Sequence, residues 1–172
     1  MIARALAISA YADADRQGML DLICTIQRNE FALPITAADQ PDLLDAPGFY
    51  RRGCGDFWVA RAGGEVVGSI ALLDIGNGQG ALRKMFVRRD WRRGYSSAPE
   101  LGGAGVAFSL LHTLLKHAAA SGLRDIFLGT TTRFQAAHRF YEKNGFERID
   151  KIALPESFPV MAVDSVFYWK RL

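Results

Sequence analysis

Two cysteines in 172 residues, Cys24 in an apolar helical run and Cys54 between two glycines, offer no CxxC or Cys/His spacing. That excludes a disulfide framework and a structural zinc site, and leaves a reducing, cytoplasmic setting without a metal as the expectation. Long hydrophobic runs are missing as well: nothing approaches the ~20 apolar residues of a membrane-spanning helix. The opening Ala5-Leu6-Ala7-Ile8 reads as a first strand, not an export signal. An excess of one charge is the third absence. The chain sets 21 Lys+Arg against 18 Asp+Glu, net +3, too little to mark a nucleic-acid binder. The distribution is more telling than the total. Residues 83–93 (RKMFVRRDWRR) hold six basic residues and one acid, so everything else carries 15 basic and 17 acidic residues.

What is present is a mixed α/β pattern within one domain, residues 2–172, with no repeat, linker or low-complexity segment. A strand over Arg4–Ile8 precedes a helix from Asp13 to Arg28 whose apolar groups form a stripe. A proline-punctuated stretch, Ala32–Gly53, contains a short helical piece near Asp39–Asp45. Phe57–Ala60 and Val66–Leu73, separated by Ala62-Gly63-Gly64, read as a β-hairpin, and Ala81–Val87 as the third strand of the meander. Val106–Ala120 has the helical period and stops at Ser121-Gly122. Asp125–Thr130 is a buried strand. Thr132-Arg133-Phe134-Gln135 has the pattern of a capping box opening a helix that ends at Asn144-Gly145. Phe146–Ile149 and Ser165–Lys170 close a sheet of six to seven strands flanked by helices, in the order β-α-α-β-β-β-α-β-α-β-β.

The chemistry concentrates at Gly102-Gly103-Ala104-Gly105-Val106-Ala107, between the third meander strand and the next helix. Glycines at a helix start admit an anion to the free N–H groups of the first turn, where the helix dipole favours it. The only basic segment lies beside this junction, which points to a phosphate-bearing ligand. Gly-Lys-Ser/Thr is absent, so it is no Walker loop, and without a third glycine it is no dinucleotide fingerprint.

Lys84-Met85-Phe86-Val87, Trp91-Arg92, Gly105-Val106-Ala107 with Leu110-Leu111, Gly122, Ile126-Phe127-Leu128, Thr130 and the run Ala136 to Phe146 resemble the GNAT (GCN5-related N-acetyltransferase) superfamily. The A-x-x-F-Y-x-x-x-G-F ending is the most specific piece, and the likeness covers residues 82–149. It implies an acetyl-CoA cosubstrate whose pantetheine arm lies along Met85, Phe86 and Val87, at a splay between that strand and Asp125–Thr130. The pyrophosphate would rest on Gly103, Gly105, Val106, Ala107 and Phe108, with Arg92 and Arg93 beside it. A primary amine of a small molecule or a peptide amino group would attack the thioester directly, and Tyr141 would protonate the leaving thiolate. The residues themselves leave two roles for Tyr141 open, this one and core packing. Asp74, Glu65 and His138 are the candidates for a base, each with a structural reading beside it.

The chain departs from the family's Arg/Gln-x-x-Gly-x-Gly/Ala: Gly102 stands where the arginine belongs, and Arg92 precedes Gly105 by 13 positions. The expanded loop leaves open which of Arg89, Arg92 and Arg93 meets the phosphates. It also keeps in view a second function, a non-catalytic acyl-CoA sensor or scaffold. No nucleic acid and no membrane are expected as partners. A homodimer is common in the family, although the sequence carries no interface signature. The acceptor pocket is expected from the Ala12–Gly55 region, the Asp74–Gly80 loop and the Pro155–Val163 excursion, with Phe31, Phe49, Tyr50, Phe158 and Met161 as an apolar wall or as plain core.

Overall fold

The computed structural model describes residues 6–92 and 105–172, which build a seven-stranded sheet with helices on both faces. The strands are β1 (Leu6–Ala10), β2 (Asp56–Ala62), β3 (Glu65–Gly76), β4 (Gln79–Val87), β5 (Asp125–Thr130), β6 (Glu147–Ile149) and β7 (Val166–Arg171). The helices are α1 (Arg16–Thr25), α2 (Pro41–Leu44), α3 (Ala46–Tyr50), α4 (Val106–Ala120) and α5 (Gln135–Lys143). Sheet order is β1-β2-β3-β4-β5-β7-β6, antiparallel throughout except for β4 and β5, which run parallel. A parallel neighbour requires a crossover, and α4 supplies it. None of the described helices is long and apolar enough to cross a membrane.

The alternation of β2 sorts the core. Phe57 and Val59 face α1 through Met19 and Ile23, whereas Trp58 and Ala60 face α4 through Leu110 and Leu114. On the C-terminal half, Ile126 and Leu128 join the α4 side, while Phe127 and Phe167 pack beneath Phe158 of the segment between β6 and β7. Phe158 is therefore core. Gly68 of β3 lets α4 approach: a Cβ there would stand 2.9 Å from a Leu110 methyl and 3.2 Å from a Val106 methyl. Gly68→Ala is expected to cost about 1–3 kcal/mol through overpacking, read as a lower midpoint in urea unfolding with an unchanged slope.

Three local expectations are corrected. The first strand runs to Ala10 and pairs Leu6–Ala10 with Ala62–Trp58, so its C-terminal half was read too short. The long first helix is a 3-10 turn (Asp13–Asp15), α1 and a π turn (Ile26–Glu30), and the short helical piece after it is two helices, α2 and α3. Thr132 does not cap α5. The N-cap position belongs to Phe134, without a side-chain cap, because Thr131 to Phe134 close a turn through Phe134 N–H donating to Thr131 O at 3.1 Å. The Phe134 ring then packs on Phe31 at 4.1 Å.

Candidate active site

β4 and β5 pair only at Gln79, Gly80 and Ala81 against Asp125, Ile126 and Phe127. Beyond Ala81 the two strands diverge, and the β5-facing edge of β4 from Leu82 to Val87 has no strand partner among the described residues. The cause lies within β4. Its register against β3 slips between Ser69↔Phe86 and Ala71↔Arg83, so that Lys84 and Met85 together oppose Ile70. Lys84 has φ +54°, a left-handed conformation that costs a non-glycine residue of order 1 kcal/mol or more and persists only where surroundings enforce it. They do: the Ser69 hydroxyl donates to Lys84 O at 2.7 Å, and Lys84 Nζ donates to Gln40 Oε1 at 2.6 Å. Such a bulge bends its strand and re-aims side chains. Nothing in the local sequence signals it.

Tyr141 projects from α5 to this opening. Its hydroxyl donates to Met85 Sδ at 3.6 Å, while its ring packs edge-on against Phe140 and Phe146. Burial holds the phenol far above its ordinary value of 10.0. It is therefore a proton donor that keeps its proton throughout the physiological range. The raised value adds stability that is complete below the unfolded value and is lost as pH climbs past about 10. Tyr141→Phe is accordingly expected to lose less stability than the parent chain between about pH 9 and about pH 11, measured by urea unfolding.

The start of α4 brings Gly105, Val106, Ala107 and Phe108 into one turn. Gly105 stands at the N-cap with no side-chain cap, and a Cβ on it would meet nothing within 4 Å. Among the described residues no side chain caps the turn's N–H groups. Val106 anchors the turn in the core, whereas Phe108 is 46% exposed and stacks on His112. Gly103 and Arg93 lie outside the described residues.

The basic segment divides into separate tasks. Arg92 is held by Glu30 in a bidentate pair, at 2.6 and 2.9 Å, and donates to Val87 O. Arg88 pairs with Asp90 and Glu65. Arg83 and Lys84 turn to the α2–α3 side, where Asp42 lies 4.0 and 3.5 Å away. Among the described residues these four charges thus do not converge on one anion, because strand alternation and the bulge send them to different faces. The buried Asp42 and Gln40 and the half-buried Asp164 complete the group. The Asp42 carboxylate accepts from Tyr50 at 2.6 Å, Gln40 exchanges amide hydrogen bonds with Gln27, and Asp164 accepts from Met161 N–H at 2.9 Å. Burial lowers Lys84, against the pull of Asp42, and raises Asp164. Sequence reading missed these three polar residues. Gln40 and Asp42 lay within the Ala12–Gly55 region assigned to the acceptor pocket, whereas Asp164 falls one residue past the Pro155–Val163 excursion.

The candidate bases have structural occupations. Asp74 accepts N–H bonds from Cys54 and Gly76, each at 2.9 Å, and these hold its carboxyl below the usual range. It faces Gly80 in the ladder, four residues from Lys84, or roughly 13 Å along a strand. His138 Nε2 lies 2.9 Å from the Thr131 carbonyl oxygen, which can only accept, so that nitrogen carries the proton. Glu65 opens β3 and pairs with Arg88 at 3.2 Å. Of the five aromatic and apolar wall residues, Phe49, Tyr50 and Met161 gather around Arg83, Phe31 packs on Phe134, and Phe158 serves the core.

The sequence profile described as the Acetyltransferase (GNAT) family matches residues 20–146. The chain belongs to the GNAT family. A GNAT acetyltransferase structure from Staphylococcus aureus Mu50 superposes with a TM-score of 0.87 at 33% identity, covering 97% of this chain and 99% of that one. N-acetyltransferase 8F1 of Rattus norvegicus is 31% identical over 107 residues, 62% of this chain and 46% of the rat protein. The chain thus spans about half the length of that relative. The PaiA N-acetyltransferase of Thermoplasma acidophilum, solved in complex with coenzyme A, shares the fold with a TM-score of 0.72 at 14% identity, over 98% of this chain and 99% of that one. In this GNAT chain the splay, the bulge and the uncapped start of α4 lie on the segment where the sequence resemblance is densest.

Proposed function

We propose that this GNAT chain is an acetyl-CoA-dependent N-acetyltransferase acting on a primary amine by direct attack. The observation that carries the reading is the opening between β4 and β5, with the buried Tyr141 hydroxyl at Met85 on its wall. Backbone amide groups without a strand partner seek hydrogen bonds, and the amides of a pantetheine arm match the edge at Met85, Phe86 and Val87, where Arg92 now holds the Val87 carbonyl. The first turn of α4, Gly105 to Phe108, suits the pyrophosphate, and the coenzyme A of the Thermoplasma relative supports the same ligand here. Gly103 and Arg93 extend that cradle in this reading. Arg92 would join it only by leaving Glu30.

The reaction needs an unprotonated amine, donors for the oxyanion and a proton for the thiolate. The amine nitrogen bonds to the acetyl carbon as a main-chain N–H of Met85 to Val87 holds the oxyanion. The carbon–sulfur bond then breaks, sulfur takes the phenolic proton of Tyr141, and the proton shed by the new amide restores the phenol. The two free cysteines suit the reducing cytoplasm in which we place the protein.

Acetyl-CoA at about 100 times its Kd should raise the melting temperature by roughly 5–10 °C, and free thiol should accumulate when amines are supplied. A chain that coenzyme A fails to stabilise at millimolar concentration would overturn the proposal. Binding of acetyl-CoA with no thiol release from amines, amino acids, polyamines or aminoglycosides would instead favour the sensor.

A further inference from the structure

On the α3 side of β4, two residues before Met85, the Arg83 side chain is 11% exposed. A guanidinium cannot shed its proton, and its five donors form a planar fork that fits a carboxylate. Here the fork donates to a thioether, Met161 Sδ at 3.2 Å, and lies over aromatic rings, 5.7 Å from the centroid of Phe49 and 6.0 Å from that of Tyr50. Sulfur is a weak acceptor, and the Asp42 oxygen at 4.0 Å lies beyond hydrogen-bond reach. Asp42 is also committed elsewhere, to the Tyr50 hydroxyl at 2.6 Å and Lys84 at 3.5 Å. Burying a cation at such a strand position, among so few acceptors, works against stability.

We infer that the acceptor amine also carries a carboxylate, which docks on Arg83 with Lys84 beside it; this rests on the acetyltransferase reading. Three segments distant in sequence enclose the fork: β4 with Arg83, α3 with Phe49 and Tyr50, and the β6–β7 excursion with Met161. They converge next to the strand edge where the thioester is placed. Two strand residues span about 7 Å, so an acceptor whose amine and carboxylate are a few bonds apart reaches from Arg83 toward the splay. Asp42 and Asp164 flank the two cations, and this favours a singly charged carboxylate over a doubly charged phosphate. The alternation of cations and carboxylates complements a compact molecule bearing both an amine and an acid, such as a free amino acid.

The test measures thiol release by the purified full chain with acetyl-CoA and the twenty amino acids, their amides and the corresponding decarboxylated amines. At least one free acid should exceed its own amide by roughly 10- to 100-fold in kcat/KM, the range of a charge-assisted pair. In Arg83→Met, which keeps an unbranched apolar stem, the acid-to-amide ratio should fall to within about threefold of one. Arg83→Lys should restore part of it, and stabilisation by coenzyme A should persist in both. A parallel melting assay with coenzyme A should show N-acetyl amino acids raising the midpoint above their amides.

Acids no better than amides, a ratio that survives Arg83→Met, or no thiol release together with no shift from any N-acetyl amino acid would each overturn the carboxylate inference while acetyl-CoA still binds. Absence of acetyl-CoA binding would overturn the acetyltransferase reading itself, and this inference with it.

Discussion

Tyr141→Phe should lower kcat by about 100-fold while leaving stabilisation by coenzyme A within about twofold of the parent. The ring keeps its contacts with Phe140, Phe146 and Tyr168, and the hydroxyl's hydrogen bond in the described structure is to the weak acceptor Met85 sulfur, so packing changes little. A general acid contributes 10²–10⁴-fold. The lower end applies here because a thiolate with a conjugate acid near 8.5 is already a fair leaving group. Burial keeps the phenol protonated, so the parent's kcat should show no loss assignable to Tyr141 ionisation as pH approaches 10. A loss under about fivefold would return Tyr141 to a packing role, and water would then protonate the thiolate.

Asp42→Asn should destabilise the chain by about 3 kcal/mol, the low end for removing one partner of a buried ion pair. The carboxylate is 7% exposed and is the charge partner of Lys84 and Arg83, 8% and 11% exposed. Without it, two adjacent cations face each other in the core, and the Tyr50 hydroxyl trades a charged acceptor for a neutral one. About 3 kcal/mol is a large part of the usual 5–15 kcal/mol of a domain, and should appear as a fall of roughly 6–12 °C in Tm.

The deficit has a pH signature. Burial already lowers Lys84, and losing Asp42 lowers it further. The unfolded chain then binds more protons than the folded one between the depressed value and the ordinary 10.5, so the variant regains stability relative to the parent as pH rises through that window. A deficit that is constant or grows between about pH 7 and about pH 10 would show that the Asp42 charge is not what compensates Lys84.

The legible part of the site was its scaffold. Helix α4 and strand β5 fall where periodicity placed them, because each buries a regular stripe or run bounded by glycine or polar stops. The A-x-x-F-Y-x-x-x-G-F run could be read because Tyr141 and Phe146 fill fixed core positions on α5 and just before β6. The capping box at Thr132 failed because the motif's residues entered a turn whose aromatic, Phe134, found a partner 103 positions away in Phe31. The cluster of basic residues was visible, but its purpose was not. A sum over residues 83–93 cannot know that the bulge sends Arg83 and Lys84 to one face while Arg92 finds Glu30.

The sequence alone determined the α/β pattern, the family resemblance and a chain whose +3 comes from one segment, because local periodicity, turn chemistry and residue counts are properties of neighbours. The tertiary structure decided which charges meet. Asp42, Arg83 and Asp164 come from three segments up to 122 positions apart, and only the folding of the sheet puts them in one group around the buried Asp42, where reduced dielectric makes each pairing count. The left-handed Lys84 belongs to the same category. Its backbone strain is held by Ser69, Gln40 and Asp42, none of them its neighbour in sequence, and the opening beside Tyr141 exists because those contacts hold it.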